Sequence, residues 1–277
     1  MLPVLAQFSV AGAEIAVPAY STCLLIAAIT ACWLFVRAAV DAGAPRRRTI
    51  LLAIGAAAGG LVGARLLDAS LNPALYAHDP DLLTTTNARG FALYGGLVAA
   101  GTVALGAAPL LRVQRGRLAD AAVPAVAAGI AIARVGCFLN GCCGGVATSV
   151  PWAVRFPIGS SSWSSQLLGG STSAIFGHVD AVHPTQLYEL VAVLACAGVS
   201  RVAAARLGLA PGGRALLFAA TFLAFRVVNQ TLRAPTPGGA LGSSGIMLTY
   251  AVVAVAAGLL LARLVRRSSP GRSVASA

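Results

Sequence analysis

The sequence predicts an all-α, polytopic membrane protein with about seven transmembrane helices, an outward N-terminus, a cytoplasmic C-terminus and a small periplasmic cap. Composition is the first support for this class: 58% of the 277 residues are hydrophobic, 10% are charged, and the mean hydropathy is +0.83. Soluble domains are typically about 45–50% apolar and about 25% charged, so lipid rather than water must cover this much apolar surface. Apolar runs of membrane length and alternating arginine clusters are the other two supports.

Seven apolar runs are long enough to cross a bilayer. Each has about 18–25 residues, which at about 1.5 Å per residue spans a hydrocarbon core about 30 Å thick. We expect residues 1–267 to form one transmembrane domain and residues 268–277 to form a disordered cytoplasmic tail. The runs lie at about residues 17–40, 51–69, 91–111, 118–138, 184–205, 213–231 and 245–265.

The positions of the arginines predict the orientation. The chain has no lysine, and arginines cluster in every second loop, at 46–48, 112–117 and 201–214, and again at the C-terminal end, 263–272. Cytoplasmic loops carry such an excess of positive charge, so these segments are expected to face the cytoplasm. This topology also accounts for most of the net charge of +12. Nucleic acid is therefore not predicted as a partner.

The longest outer connection, about residues 139–183, is predicted to form the periplasmic cap. It is rich in glycine, serine and tryptophan and is too polar to span the membrane. Long connections in compact domains are usually functional or disordered. We therefore expect this segment to lie at the lipid–water boundary and to contribute to a site.

Six arginines lie in the spans or on the outer side, where the positive-inside pattern does not explain them. An arginine at membrane depth costs at least about 2.5–3.5 kcal/mol on the insertion scale. Asp68, Asp120 and Glu189 are too few to pair with all of them, and the guanidinium fork suits phosphate. The pattern favours an anion site; the alternative is snorkelling, or pairing with Glu189 and backbone carbonyls. The six are Arg65, Arg89, Arg134, Arg155, Arg226 and Arg233.

The end of the fourth span is rich in glycine and forms a second candidate region. Asn140, Gly141, Gly144 and Gly145 are expected to break the helix and to allow close backbone approach. Successive N–H groups here are predicted to cradle a phosphate or ester oxygen. The alternative is an ordinary glycine-rich helix stop.

Three cysteines, Cys137, Cys142 and Cys143, surround this helix end on the oxidising side of the membrane. Cys137 can form a disulfide with either of the other two, or the thiols can stay free and packed in the cap. A metal site would want a second cluster of ligands at suitable spacing, for which His178 and His183 are the available residues. No metal site is therefore predicted.

The motif His183-Pro-Thr-Gln-Leu-Tyr-Glu opens the fifth span. It places an imidazole, an amide, a phenol and a carboxylate close together, on His183, Gln186, Tyr188 and Glu189. Histidine is the side chain best suited to act as a general base near neutral pH. The alternative is a helix-capping histidine beside an interfacial tyrosine.

Glycines also punctuate the second and third spans. The spacing of Gly55, Gly59 and Gly63, with Gly60 beside them, is typical of close packing between membrane helices. The pair at 95–96 is expected either to pack in the same way or to leave room for a lipid chain.

Together these segments resemble the prolipoprotein diacylglyceryl transferase family, over about residues 20–249. The order and approximate spacing of the motifs agree, and the histidine–proline motif is specific. The strongest pieces are Arg134-Val-Gly-Cys-Phe-Leu-Asn-Gly, Pro151-Trp152 with Phe156-Pro157, and His183-Pro-Thr-Gln-Leu-Tyr-Glu. Weaker support comes from Gly63-Ala-Arg65, Tyr94-Gly-Gly-Leu, and Arg226 with Arg233-Ala-Pro235.

The resemblance implies a seven-span enzyme of the bacterial inner membrane that needs no cofactor. Such an enzyme takes the diacylglyceryl group from phosphatidylglycerol and attaches it to the lipobox cysteine of a prolipoprotein as a thioether. The partners implied are phosphatidylglycerol, the prolipoprotein signal peptide and membrane lipid. The residues that match functional positions of the family are Tyr20, Arg134, Asn140, Gly145, His183, Arg226 and Arg233.

A mechanism follows as a hypothesis. Arg134 and Arg226 are predicted to stabilise charge that develops on the phosphate, and His183 or Tyr94 to act as the base, with His183 preferred. The residues predicted to bind substrate are Tyr20, Arg65, Asn140, Gly145, Gln186, Tyr188, Glu189 and Arg233.

The chain departs from the family pattern at several positions. Tyr94 stands where histidine is common, Gln230 where glutamate is common, and Val146 where arginine is usual; a Cys142–Cys143 pair replaces Glu-Leu-type residues. The pattern is that of a divergent branch with a Gly-Cys-Cys motif. Two alternatives therefore stay open: a non-catalytic lipid- or lipoprotein-binding paralogue, and a transporter or flippase of an anionic lipid.

Overall fold

The computed structural model describes residues 4–10, 13–83, 93–171, 177–234 and 242–268. Most of these residues are helical, as the composition predicts, and short loops join most consecutive helices. The helices are α1 (Ala19–Asp41), α2 (Arg46–Leu71), α3 (Pro73–His78), α4 (Leu93–Gly106), α5 (Ala108–Leu111), α6 (Arg115–Leu139), α7 (Ser161–Leu168), α8 (Thr185–Leu207), α9 (Gly213–Thr231) and α10 (Gly242–Ser268).

Five helices in the described part of the chain are long and apolar enough to cross a membrane. They are α1, α2, α6, α8 and the Ser244–Arg266 part of α10. This confirms five of the seven predicted spans. The other two coincide with helices as well, but α4 is described over only 14 residues, which rise about 21 Å, and α9 has 19 residues including Arg226. A count of seven, the orientation and the domain bounds stay predictions, and residues 269–277 of the predicted tail lie outside the described ranges.

A β-hairpin precedes α1 and is absent from the sequence prediction. Strands β1 (Val4–Val10) and β2 (Ala13–Pro18) pair antiparallel. Their valine, isoleucine and phenylalanine side chains favour extended backbone. Pro18 ends β2 and caps α1, so the first membrane helix begins two residues later than the apolar run.

Helix α6 is the centre of the bundle. Half of its apolar stretch is buried inside the protein, against 17% or less for each of the other four candidate spans. One core cluster joins Leu118 of α6 to Phe35 of α1 and Leu52 of α2, and another joins Ile130 of α6 to Val193 of α8 and Phe222 of α9. The remaining spans leave most of their apolar surface exposed, as membrane helices surrounded by lipid do.

Helices α2 and α4 meet along the predicted glycines. A Cβ added at Gly63 would lie 2.3 Å from the Cβ of Ala99 and 2.7 Å from the carbonyl oxygen of Gly95. One added at Gly96 would lie 3.1 Å from the carbonyl oxygen of Gly60. The prediction of close packing is confirmed at Gly59, Gly60 and Gly63, where no room for a lipid chain is left, but it is wrong at Gly55, where an added Cβ meets nothing within 4 Å.

Other contacts orient the ends of the helices. The carboxylate of Asp120 on α6 accepts hydrogen bonds from the backbone N–H groups of Gly212 and Ala215 at 2.8 Å each, and so caps α9. Asp120 is therefore a helix-capping residue and not a partner of the buried arginines.

In the segment predicted to form the periplasmic cap, Val182 forms isolated antiparallel bridges with Ala147 and Val154, and Phe156 is buried.

The close contact between α2 and α4 predicts different effects of two glycine substitutions on the apparent Tm. Gly63→Ala should lower the apparent Tm of the detergent-solubilised protein by about 2–8 °C, because overpacking costs about 1–3 kcal/mol. Gly55→Ala is the control, since a Cβ there meets nothing within 4 Å and alanine favours helix over glycine. Thermal unfolding of both variants measures the difference; an unchanged Tm for Gly63→Ala would contradict the close contact.

Candidate active site

Two buried arginines share one buried glutamate inside the helical bundle, near one of its ends. Nη2 of Arg134 on α6 lies 2.8 Å from Oε1 of Glu189 on α8, and Nη1 of Arg226 on α9 donates to Oε2 of the same carboxylate. Arg134 is 7% exposed and the other two residues are 1% exposed. Two positive charges therefore face one negative charge, and the group carries one net positive charge.

This arrangement corrects the expectation that a ligand supplies the main counter-charge of the buried arginines. Glu189 pairs with Arg134 and Arg226 at once, which is the alternative that the sequence left open. The pairing is incomplete, because the Nε atoms of both arginines are buried without a hydrogen-bond partner among the described residues. Buried donors of a charged group are normally satisfied. An anion that accepts from these donors would complete the group.

Two tyrosines pack against the guanidinium of Arg226. The hydroxyl of Tyr250 on α10 accepts a hydrogen bond from Nη2 at 2.9 Å. The guanidinium carbon also lies 4.9 Å from the ring centroid of Tyr250 and 5.6 Å from that of Tyr94. Cation–π contacts of this kind favour the charged guanidinium in a dehydrated site. The structure therefore brings Tyr94 into the group as a partner of Arg226.

Tyr250 was missed by the sequence analysis. The signal that could have found it is a lone tyrosine within an otherwise apolar span. Aromatic belts place tyrosines at the ends of membrane helices, whereas Tyr250 is 7% exposed and lies eight residues into α10. A buried phenol needs a hydrogen-bond partner, and Arg226 supplies one.

The loop after α6 is fixed by hydrogen bonds to the start of α8. The side-chain amide of Gln186 donates to the carbonyl of Cys142 at 2.6 Å, and the hydroxyl of Thr185 donates to the carbonyl of Cys143 at 2.7 Å. Gly145 forms an antiparallel bridge with Arg233. A Cβ at Gly145 would lie 2.5 Å from the carbonyl oxygen of Leu232, so glycine is required here.

The predicted cradle of free N–H groups is wrong. The loop amides donate within the protein: that of Cys142 to Cys137, that of Gly144 to the Ser162 hydroxyl, and that of Gly145 to His183. These amides fix the loop against α6, α7 and the residue before Pro184, so the loop shapes the site instead of binding an anion through these N–H groups. Asn140 ends α6 at the edge of this loop.

His183, Tyr188 and Trp152 form a second hydrogen-bonded group, at the start of α8. The indole N–H of Trp152 donates to the Tyr188 hydroxyl at 2.6 Å, and this hydroxyl lies 3.2 Å from Nδ1 of His183. The direction of the second bond depends on the tautomer of the imidazole. Trp152 is 61% exposed, as interfacial tryptophans are. The group therefore orients the imidazole of His183 through the Tyr188 hydroxyl.

The remaining predicted site residues lie around these two groups. Arg65 on α2 donates to the Tyr76 hydroxyl at 3.5 Å, and Tyr76 donates to Asp68 at 2.7 Å, so Arg65 has a network of its own. Tyr20 lies in the first turn of α1, where its carbonyl oxygen approaches Gly136 of α6. Arg155 lines a cleft of about 530 Å³ in the cap, together with Asp180. Arg89 lies outside the described residues.

The three cysteines at the end of α6 are brought together beside Arg134. Their sulfur atoms all lie within 4.8 Å of one another, and Nη1 of Arg134 lies 3.6 Å from Sγ of Cys137. Hydrogen bonds from Cys137 and Cys142, with the positive charges of Arg233 and Arg134, hold the pKa of the Cys143 thiol well below its usual range. All three are free thiols in the structure.

Fold and site together define a class of protein: a helical integral membrane protein whose buried polar centre carries excess positive charge. The particular family is shown by sequence comparison. The chain belongs to the prolipoprotein diacylglyceryl transferase family, whose sequence model matches residues 6–264.

Relatives with the name phosphatidylglycerol–prolipoprotein diacylglyceryl transferase include proteins of three bacteria. The protein of Rhodopirellula baltica is 33% identical over 171 residues, which are 59% of this chain but only 35% of that protein. That of Corynebacterium diphtheriae is 29% identical over 216 residues, 73% of each protein. That of Dehalococcoides mccartyi is 30% identical over 203 residues, 73% of this chain and 71% of that protein.

The shared carboxylate predicts a strong effect of Glu189→Gln on stability. Removing one partner of a buried ion pair typically costs about 3–5 kcal/mol, and here two guanidinium groups lose their counter-charge. The apparent Tm in detergent should fall sharply, whereas Asp41→Asn, at an exposed carboxylate, should leave it unchanged. The double variant Glu189→Gln/Arg226→Gln should recover part of the loss; additive losses would contradict the pairing.

Proposed function

We propose that this protein transfers the diacylglyceryl group of phosphatidylglycerol to the lipobox cysteine thiol of a prolipoprotein in the bacterial cytoplasmic membrane. A carbon–sulfur bond forms, the bond between the same carbon and the phosphate oxygen breaks, and glycerol phosphate leaves. The observation that carries the proposal is the buried pair Arg134 and Arg226, with two positive charges on one carboxylate. Membership of the family supports the same reaction.

The excess positive charge suits the leaving group of this reaction. The phosphodiester carries one negative charge and gains a second as the carbon–oxygen bond breaks. Donors fixed in a dry site before the reaction stabilise such developing charge strongly. The Nε groups of Arg134 and Arg226 are buried with no acceptor among the described residues, and a phosphate that enters this centre would supply one. Glu189 then acts as a positioning residue that holds both guanidinium groups, and Arg233 guides the headgroup.

The acceptor thiol must lose its proton, and His183 is the proposed base. A free thiol has a pKa of about 8.5, so only a small fraction is thiolate at neutral pH. Tyr188 hydrogen-bonds to Nδ1 of His183 and orients the ring. Tyr94 is less suited to this role, because a free phenol has a pKa of about 10 and its ring packs on Arg226. Tyr94 is therefore a positioning residue for that arginine.

The other predicted residues shape the substrate pocket. Asn140 and Gly145 define the loop beside the headgroup, and Gln186 holds that loop through the carbonyl of Cys142. Tyr20 and Tyr188 line the predicted periplasmic side, where the signal peptide would approach. Arg65 belongs to a separate hydrogen-bonded network on α2 and contributes to headgroup attraction from there.

The position of the polar residues favours an enzyme over a transporter. Arg134 lies near the end of α6, Glu189 near the start of α8, Arg226 near the end of α9 and Tyr250 in the first part of α10. Antiparallel neighbours place these positions at one end of the bundle. A transporter needs a polar path to both faces, and in the described ranges the buried arginines gather at one end only.

The transfer assay tests the proposal directly. Full-length protein in phosphatidylglycerol nanodiscs is incubated with a lipobox peptide, and mass spectrometry detects the diacylglyceryl thioether. Arg134→Lys and Arg226→Lys should each reduce the rate by about 10²–10³, because lysine keeps the charge but loses the planar fork. Arg206→Lys, at an exposed position, should keep full activity. Binding of lipid and peptide with no product from the wild-type protein would instead identify a non-catalytic paralogue.

The role of His183 predicts a pH-dependent defect. His183→Ala should lower the transfer rate by about 10²–10⁴ at neutral pH, which is the range for a lost general base. The defect should shrink at pH values above about 9, because the acceptor thiol then ionises without help. His178→Ala, which removes an exposed histidine of the cap, serves as the control. An equally large defect at every pH would show that His183 has no role as the base.

A further inference from the structure

The cysteines at the end of α6 form a convergent set that the proposed reaction does not use. Cys137 lies in the last turn of α6, and the chain then reverses so that Cys142 and Cys143 come back beside it. The three sulfur atoms lie within 4.8 Å of one another. Cys137 is buried, and the other two are half-buried. A disulfide uses only two sulfur atoms, and helix packing does not require three to converge, so this arrangement calls for another explanation.

The backbone at Cys143 is strained in order to hold this set. Its φ is +62°, in the left-handed region that side chains with a Cβ rarely adopt. A glycine would fit this position without strain, and the loop already holds Gly141 at a positive φ. The bonds from Thr185 and Gln186 to the loop carbonyls fix the conformation. Strain of this kind persists where the side chain has a function.

We propose that Cys137, Cys142 and Cys143 bind a thiophilic divalent cation, Zn²⁺, as a three-thiolate site. Zinc–sulfur bonds are about 2.3 Å long, which places the ligand sulfurs of a tetrahedral site about 3.8 Å apart. The observed separations need only small side-chain rotations to reach this value. A disulfide would join two of the sulfurs at about 2.05 Å and leave the third without a role.

The charges around the site suit this assignment. Zn²⁺ with three thiolates carries one net negative charge, and the guanidinium of Arg134 lies 3.6 Å from Sγ of Cys137. This contact would stabilise the thiolate of Cys137 in the loaded site through a charge-assisted hydrogen bond. Three protein ligands leave the fourth position of zinc to water, as in open metal sites.

The sequence predicts no metal here, because metal ligands usually come in two clusters separated along the chain. The reversal after α6 makes that second cluster unnecessary, since it returns Cys142 and Cys143 to the helix end that carries Cys137. The proposal goes beyond the transferase proposal and is independent of it, because its test requires neither lipid nor peptide.

Metal analysis of the purified full-length protein tests the site. Protein prepared without chelator and without a histidine tag should contain about one zinc per chain, and its X-ray absorption spectrum should show three sulfur neighbours at about 2.3 Å. Cys143→Gly should lose the zinc while folding at least as well as the wild type, because glycine relieves the positive φ. Cys196→Ser, on α8 and away from the set, should keep it.

A second measurement protects the test against misfolded variants. The chelator-treated wild-type protein, kept reduced, should bind one Cd²⁺ per chain with the ultraviolet absorption of cadmium–thiolate bonds. Three results would overturn the proposal: no binding of Zn²⁺ or Cd²⁺ by the reduced wild-type protein, retention of zinc by Cys143→Gly, or a disulfide within the set in protein isolated under native conditions.

Discussion

One carboxylate shared by two guanidinium groups is the interaction on which the interior of this protein depends. Glu189 joins α8 to α6 through Arg134 and to α9 through Arg226. The hydroxyl of Tyr250 then ties α10 to the same arginine. Burying three charges is costly, and the attraction between them repays the cost only when the geometry is good. The positions of four helices are therefore coupled through a single side chain.

The unequal number of positive and negative charges in this buried group points to a role in binding an anion. A fully matched set would be explained as a structural ion pair, but two arginines on one glutamate leave one positive charge that this carboxylate does not neutralise. Binding an anion at this point relieves that imbalance and adds stability that rises with the logarithm of the anion concentration divided by its Kd. Substrate binding and the integrity of the bundle thus depend on the same residues.

Hydropathy and charge made the coarse features of this protein predictable. The sequence displays apolar length and residue spacing directly. These predict the membrane class, five of the spans and the glycine contact between α2 and α4. The shared use of Glu189, the contact of Tyr250 with Arg226 and the occupied amides of the loop at 141–145 were not predictable in this way. They depend on the rotation of each helix and on chain reversal, which bring together residues far apart in sequence. The N-terminal hairpin was missed because its strands are short and lie before the first apolar run, where hydropathy alone does not display strand pairing.

The backbone contact between α2 and α4 has a mechanical consequence. Glycines on both helices place the two backbones against each other, and short side chains such as Ala64 and Ala99 make the neighbouring contacts. The two helices are therefore expected to move as one rigid unit. A lateral opening for a two-tailed lipid would then form at the edges of this unit, where larger side chains make the contacts.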